Sequence, residues 1–347
     1  MKIEKKVIAR LEKCYALAKL KKGGQDCLLA AAEKNAPCYL FDGTGRLLET
    51  VWETDGGVMT MEQVPGTDGI FLSTRRFFSP NDSGAAQIVI VEKKDGAWKR
   101  RVLCNLPFVH RFGILFQGGF HYLIACTLKS AHAFKNDWTC PGRVWIAPLP
   151  EDLSHYDEEH PLTLAPLLSG LFKNHGFCKV SEGDCTYALI GTENGIYKIS
   201  PPKNPGGEWI HECLTPDPAS DMLHLDFDGD GERELLVFTP FHGNRLLIYK
   251  KQDGVYKQIY EHPKELPFLH AIWGFSLQGK AVAAVGNREG DRELLLFYYD
   301  REKGYTTTII DSGAGPANIM HFKRDGKDFL LAANRETDET AIYTLEP

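Results

Sequence analysis

The feature that most constrains the fold is a repeat of about 50 residues that runs along nearly the whole chain. Each unit holds short apolar runs separated by Gly, Asn, Asp and Pro, which is typical of strands and turns. With about four strands per unit, the repeat predicts an all-β, seven-bladed β-propeller spanning residues 1–347 as one domain. Seven units align at one residue of their first apolar run: Tyr15, Met61, His110, His175, His224, His270 and His321.

Two segments fall outside the regular repeat. The N-terminal run KKVIARLE precedes the first unit, and we expect it to complete the last blade and so remove the free sheet edges. The interval between His110 and His175 is the longest, which predicts an insertion at about residues 131–161 in the third blade. Its polar stretch, residues 130–143, is expected to cover the channel mouth as a lid. A double β-sandwich with coincidental spacing is the alternative fold.

Composition excludes several classes of function. The net charge of −6 is unsuited to a nucleic-acid-binding protein, which needs a basic face. The sequence shows no basic cluster for a membrane surface, no apolar span and no secretory signal at its start. The nine cysteines are scattered without a CxxC pair, which indicates reduced thiols. We therefore expect a cytoplasmic protein that acts on a small molecule, with its oligomeric state left open.

The segment DFDGDGERE places carboxylates at alternate positions around Gly231, a spacing that wraps a hard cation such as calcium. Strand-like runs flank it on both sides, so it resembles the FG-GAP or VCBS-type propeller repeat. That resemblance implies a loop between the first two strands of blade five, on the rim away from the strand starts. A structural calcium is therefore predicted over a catalytic metal, with an ion-free turn as the other reading. The expected ligands are Asp226, Asp228, Asp230 and Glu234.

Five histidines share the first-strand position, and nothing in propeller packing requires imidazole there. Because first strands line the central channel, these side chains are expected to converge at one mouth. Convergent imidazoles favour a divalent ion of the zinc, manganese or iron class over a metal-free polar funnel. Our first choice of ligands is His224, His270 and His321, with His175 or His242 next. The predicted metal set is His175, His224, His270 and His321.

The ends of the second strands are expected to reach the same mouth. His242 is the best candidate for a catalytic base, and His110, Arg288 and Lys129 are further catalytic candidates. Cationic and aromatic side chains there would suit an anionic or polyhydroxylated substrate. The predicted substrate-binding residues are Arg76, Arg335, Trp273 and Trp138.

These residues suggest a reaction type. A Lewis-acidic ion can polarise a carbonyl, and a neighbouring base can then remove the α-proton, which leads to β-elimination or isomerisation. The histidines and DFDGDG resemble the propeller sugar lyases, namely aldos-2-ulose dehydratase, anhydrofructose dehydratase and, more distantly, oligogalacturonate lyase. That resemblance implies a metal-dependent carbon–oxygen lyase acting on a keto-sugar or sugar acid. It does not transfer a catalytic base to any residue of this chain.

Two other functions compete with the lyase. One is a non-catalytic propeller that binds protein or glycan and carries a structural calcium loop. The other is a metal-dependent hydrolase of a lactone or phosphate ester, which would need carboxylate ligands at the strand starts. Histidine, methionine and tyrosine occupy those positions instead.

Overall fold

The computed structural model describes residues 2–346, and within them the chain forms 28 strands in seven four-stranded antiparallel sheets. The seven-bladed, all-β propeller is confirmed. A helix able to cross a membrane is absent from this described part of the chain. The nine cysteines all lie within it as free thiols.

The innermost strand of each blade is the first in sequence. Successive blades begin with β2 (Cys14–Lys22), β6 (Met61–Gln63), β10 (Val109–Gln117), β14 (Gly176–Glu182), β18 (Asp221–Leu225), β22 (Leu269–Leu277) and β26 (Pro316–Arg324).

The second and third strands follow by antiparallel pairing. The second strands are β3 (Gln25–Ala32), β7 (Phe71–Arg75), β11 (Phe120–Lys129), β15 (Cys185–Thr192), β19 (Glu234–Thr239), β23 (Lys280–Asn287) and β27 (Lys327–Asn334). The third strands are β4 (Cys38–Asp42), β8 (Gln87–Lys94), β12 (Pro141–Pro148), β16 (Gly195–Ser200), β20 (Arg245–Gln252), β24 (Leu294–Asp300) and β28 (Glu339–Glu346).

The outer strands of blades one to six are β5 (Leu47–Trp52), β9 (Ala97–Asn105), β13 (Ala165–Leu171), β17 (Ile210–Thr215), β21 (Val255–Glu261) and β25 (Gly304–Asp311). Blade seven takes its outer strand from the other end of the chain, where β1 (Lys2–Arg10) pairs with β28. The register runs from Lys2 opposite Glu346 to Arg10 opposite Glu339. The predicted closure of the ring by the N-terminal strand is therefore confirmed.

The core lies between neighbouring blades. Leu29 and Leu40 of blade one pack with Phe71 and Val89 of blade two, all almost fully buried. Because both faces of each sheet are covered by a neighbour, the central strands read as continuous apolar runs.

The chain direction defines two rims. First strands start, and second strands end, at what we call the upper rim, while the hairpins between first and second strands lie at the lower rim. The predicted insertion at 131–161 is two loops rather than one segment, because β12 lies in its middle. The first, 130–140, joins β11 to β12 at the upper rim, and the second, 149–164, connects β12 to β13.

Candidate metal centre

Three of the five predicted histidines lie together at the upper rim. His110 and His270 are the second residues of β10 and β22, and His175 directly precedes β14. A β-bulge interrupts the register at His110 and His270, and another occurs at Tyr15 in β2. Bulges re-aim a side chain out of the regular alternation. The strand starts therefore direct these four rings toward one another.

His242 joins them from the loop between β19 and β20. Its backbone φ of 48° is left-handed, which is uncommon for a residue with a side chain and is concentrated at functional sites. The backbone N–H donates to Ser220 Oγ at 3.1 Å. The imidazole is stacked between Phe241 and Phe268, with ring centroids 4.0 and 4.5 Å away. The two stacking contacts hold the imidazole in place, and the hydrogen bond to Ser220 holds its backbone.

The nitrogens of His175, His242 and His270 converge. One ligand atom from each lies within 4.8 Å of the other two. The Nε2 atoms of His175 and His242 are 3.3 Å apart. Two nitrogens bound tetrahedrally to zinc at 2.0–2.1 Å would be about 3.3–3.4 Å apart, so this pair has the separation that a metal needs.

Backbone carbonyls set the tautomers of two of these rings. His175 Nδ1 donates to the Ser220 carbonyl at 2.9 Å, and His270 Nδ1 donates to the Ala317 carbonyl at 2.6 Å. Each Nε2 must therefore carry a lone pair. Metal-binding histidines commonly use this outer hydrogen bond to a carbonyl to hold the ring and its tautomer.

Tyr15 and His110 complete the cluster. The Tyr15 hydroxyl lies 3.1 Å from His270 Nε2 and 3.4 Å from His110 Nε2. The ring centroids of His110 and His175 are 4.6 Å apart. His110 Nδ1 is buried without a hydrogen-bond partner within the described chain. We call His110, His175, His242, His270 and Tyr15 the histidine cluster.

Burial keeps these imidazoles uncharged. It lowers the pKa of His175 to about 3, with the Arg111 guanidinium as the next cause. The pKa values of His110, His242 and His270 are also held well below the usual range, chiefly by burial. Neutral rings with free lone pairs are the form that binds a metal.

Near them lies a buried acid that sequence analysis missed. Asp221 follows Ser220 and accepts hydrogen bonds from the backbone N–H groups of Met222 and Phe177. Burial raises its pKa to about 7, against the opposing effect of Arg111. The lowered pKa of His175 and the raised pKa of Asp221 thus have the same result, because each favours the uncharged form of its side chain.

The structure does not bring His224 and His321 into the cluster. His224 is the fourth residue of β18, and its two ring nitrogens bond the hydroxyls of Tyr187 and Tyr256. His321 is the sixth residue of β26, and its Nε2 is 2.7 Å from Asp328. Both histidines lie farther along their strands than His110 and His270, which are second residues, so the predicted convergence of all five histidines is wrong for these two.

Tyr15 and Ser220 are the other residues that sequence analysis left without a role. Tyr15 marked the start of blade one in the repeat, so its position carried the signal. Ser220 acts through both its carbonyl and its hydroxyl, on His175 and His242. Every residue has a backbone carbonyl, so a contact made by that group cannot be recognised from the residue type.

The arginine predicted to be catalytic, Arg288, and the two predicted to bind substrate, Arg76 and Arg335, are already paired with carboxylates. Arg288 donates to Glu336 at 2.7 and 2.8 Å, and Arg335 contacts Glu336 as well as Glu33. Arg76 is 3.3 Å from Asp55. A substrate anion would have to compete with these carboxylates.

The predicted tryptophans differ in position. Trp138, in the 130–140 loop, packs on Phe241, which contacts both His175 and His242. The Lys129 ammonium lies 4.5 Å from the Trp138 ring centroid and donates to the Asp137 carbonyl. Trp273 is three residues beyond His270 on β22, which is about 10 Å toward the lower rim.

The acidic loop lies between β18 and β19 on the lower rim, as predicted. It contains a cation from the chain itself. Lys250 of β20 places its ammonium 2.7 Å from Asp230 and 2.8 Å from Glu234, and it also contacts Asp228. Asp226 instead accepts backbone N–H bonds from Gly229 and Gly231. An ammonium therefore stands where calcium was expected.

Comparison with known proteins supports the fold and no further assignment. No model of a known protein family matches the chain, and neither does any curated protein. Solved structures match it along its length at low identity. The Cps50 (Swd1) β-propeller domain of Myceliophteria thermophila is 13% identical, covers 99% of this chain and 100% of its own, and has a TM-score of 0.61.

Two further solved structures are enzymes by name. A streptogramin B lyase is 12% identical over 99% of this chain and 98% of its own, with a TM-score of 0.58. The soluble aldose sugar dehydrogenase of Escherichia coli is 12% identical over the whole of both chains, with a TM-score of 0.51. Proteins with different activities thus share this architecture, and the site has to carry the functional argument.

Proposed function

We propose that this protein is a metal-dependent carbohydrate lyase whose divalent transition metal is held by His175, His242 and His270. The observation that carries the proposal is the pair of carbonyl-fixed imidazoles that turn free Nε2 lone pairs toward a third histidine. Burial keeps all three rings neutral, and two of their nitrogens have the separation of neighbouring ligands on a tetrahedral ion.

A divalent ion at this position would supply Lewis acidity, which polarises a carbonyl and acidifies the neighbouring C–H bond. Elimination also requires a base and an acid from the chain. We assign Tyr15 and His110 as this acid–base pair, because the tyrosine hydroxyl is within 3.4 Å of His110 Nε2. His242, our sequence-based choice of base, is here assigned to the ligand set.

The proposed substrate is a keto-sugar or sugar acid. This choice rests on the resemblance to propeller sugar lyases, since the solved structures contribute only the fold. The aromatic surface of Trp138 and Phe241 beside the cluster suits the apolar face of a sugar ring. We also propose, from the composition, a cytoplasmic protein without a nucleic-acid or membrane partner.

A non-catalytic binding module is the second candidate. The observation that favours it is the internal pairing of Arg288 and Arg335, which leaves fewer free cations for a substrate. Hydrogen bonds within the cluster can also satisfy its buried polar atoms without a metal, because Tyr15 can donate to His270 and His242 can donate to His175. Metal content separates the two candidates.

The test is metal analysis of protein purified without an immobilised-metal step. We expect about one equivalent of zinc, manganese or iron, which His175→Gln and His270→Gln lose and His321→Gln retains. His321 is a suitable control because it is also a buried first-strand histidine but lies outside the cluster. Wild-type protein that takes up none of these metals after reconstitution would overturn the proposal.

Activity is tested separately by offering keto-sugars and uronates to the metal-loaded protein. We expect ultraviolet absorbance from a conjugated enone or unsaturated acid, abolished by His270→Gln and strongly reduced by Tyr15→Phe. Metal binding without any turnover would favour the binding module.

A further inference from the structure

A cleft of about 580 Å³ lies between blades two and three, beside the histidine cluster and separate from it. Its lining comes from the link between β9 and β10, from the upper ends of β11 and β12, and from residues 161–164 of the second blade-three loop. Tyr15 and the histidines contribute nothing to it. Ligand pockets for small molecules commonly have about 300–1,000 Å³.

The charge of this cleft has one sign. Arg143 is its exposed cation, Lys129 also lines it but donates its ammonium to the Asp137 carbonyl, and none of the described lining residues is a carboxylate. Arg143 is exposed, and within residues 2–346 its guanidinium contacts the Trp145 ring and forms no ion pair with a carboxylate. It differs in this from Arg288 and Arg335, whose guanidinium groups are already paired.

An aromatic wall and several neutral polar groups complete the lining. The Trp145 indole N–H lies 3.4 Å from Thr127 Oγ1, and the Arg143 guanidinium lies 5.7 Å from the Trp145 ring centroid. Ser130 and Asn105 contribute a hydroxyl and an amide. An aromatic face beside hydroxyl and amide groups suits a sugar ring, and the guanidinium suits its anionic substituent.

We propose that this cleft binds an anionic monosaccharide, either a sugar acid or a sugar phosphate. Arg143 contacts the anionic group, Trp145 packs against the ring, and the neutral polar groups bond its hydroxyls. The shared chemistry is a negative charge on a polyhydroxylated ring, so the carboxylate and the phosphate forms are separate arms of the test. The proposal does not depend on the metal, because the histidines lie outside the cleft.

Calorimetric titration of the full-length protein tests this inference, with glucuronate, glucose 6-phosphate, neutral glucose and inorganic phosphate as probes. We expect at least one of the two anionic sugars to bind, and glucose to bind at least about tenfold more weakly, because it lacks the charge-assisted contact. Arg143→Gln should weaken binding of the anionic sugar by about tenfold or more. Arg301→Gln is the matched control, since Arg301 is also exposed and lies in the distant β24–β25 hairpin.

The anionic sugar should still bind to His175→Gln protein. This result would show that binding in the cleft is independent of the proposed metal centre. Absence of binding by both anionic sugars at millimolar concentration would overturn the inference. Equal binding to wild-type and Arg143→Gln protein would also overturn it, as would equal affinity for glucose and the anionic sugars. Inorganic phosphate that binds as tightly as the sugar phosphate would show that the ring is not recognised, and would contradict the assigned role of Trp145.

Discussion

The histidine cluster and the acidic loop are two groupings of metal-ligand residues that treat charge in opposite ways. Burial holds the cluster neutral, with lowered histidine pKa values and a raised pKa for the adjacent Asp221. In the acidic loop, against the opposing effect of burial, hydrogen bonds to Asp228, Asp230 and Glu234 raise the pKa of Lys250, so the loop surrounds a charged ammonium. The comparison teaches that ligand spacing alone does not identify a metal site, because the cation can come from the protein itself.

The strongest test of this comparison is Lys250→Met. Glu234 is fully buried beside the ammonium, so the substitution leaves an uncompensated carboxylate, and we expect a loss of about 3 kcal/mol in the free energy of unfolding. Urea denaturation in the presence of a chelator measures it. Lys251→Met is the control, because Lys251 is the next residue in the chain and its side chain is exposed.

Calcium sharpens the same test. The freed oxygens of Asp228, Asp230 and Glu234 should accept calcium in Lys250→Met protein, so calcium should raise its melting temperature. Wild-type protein should show no such rise, since the ammonium holds the same oxygens. A calcium-induced rise in the wild type alone would reverse our reading of the loop.

The second test concerns affinity for a transition metal. Removing one imidazole from the ligand set should weaken binding of zinc by at least about a hundredfold, or about 2.7 kcal/mol. Competition with a chromophoric chelator, comparing His242→Gln with His224→Gln, provides the measurement. Equal affinities would mean that His242 is only packed against the site.

The third test uses the raised pKa of Asp221. In the unfolded chain a carboxyl titrates near 4, whereas in the folded protein it titrates at about 7, so between these values only the folded state holds the proton. This contribution to stability is present at low pH and is lost as pH rises through about 7, with a slope of about 1.4 kcal/mol per pH unit.

Asp221→Asn should remove that slope. Urea denaturation of metal-free wild-type and variant protein at pH 5, 6 and 7 gives the difference between the two. A variant whose stability follows the same pH curve as the wild type would show that Asp221 is ionised in the folded protein.

The smallest effect is expected from Ser220→Ala. The variant keeps the carbonyl that orients His175 but loses the hydroxyl that accepts the backbone N–H of His242. We expect a loss of about 1 kcal/mol in stability and about a tenfold weaker affinity for metal. Ser220→Thr keeps the hydroxyl and should retain most of that affinity. If Ser220→Ala binds metal as wild type does, the loop holds His242 by stacking alone.

Much of the fold could be predicted from the sequence because apolar runs and turn residues recur at a fixed period. The cluster was only partly predictable. His110, His175 and His270 were found through the repeat, whereas His224 and His321 shared its period but not its register. A shift of a few residues along a strand moves a side chain from one rim toward the other, and the period alone does not detect that shift.

The acidic loop shows why local motifs were less informative than the repeat. The motif DFDGDGERE lies where it was expected, between the first two strands of blade five. Its cation could not be predicted from the motif, because Lys250 is on the third strand and reaches the loop only through the sheet. The roles of Tyr15 and of the Ser220 carbonyl could not be predicted for a related reason, since both make their contacts with another blade.

The pairing of β1 with β28 has a consequence for how the protein is made. Lys2 and Glu346 are partners although almost the whole described chain separates them. During synthesis, six blades can form while the seventh still lacks a strand, and β1 stays without its partner until β28 has been made. A chain that stalls or is truncated before β28 would therefore expose the open edge of blade seven, where quality-control proteases and chaperones can distinguish an unfinished ring from a finished one.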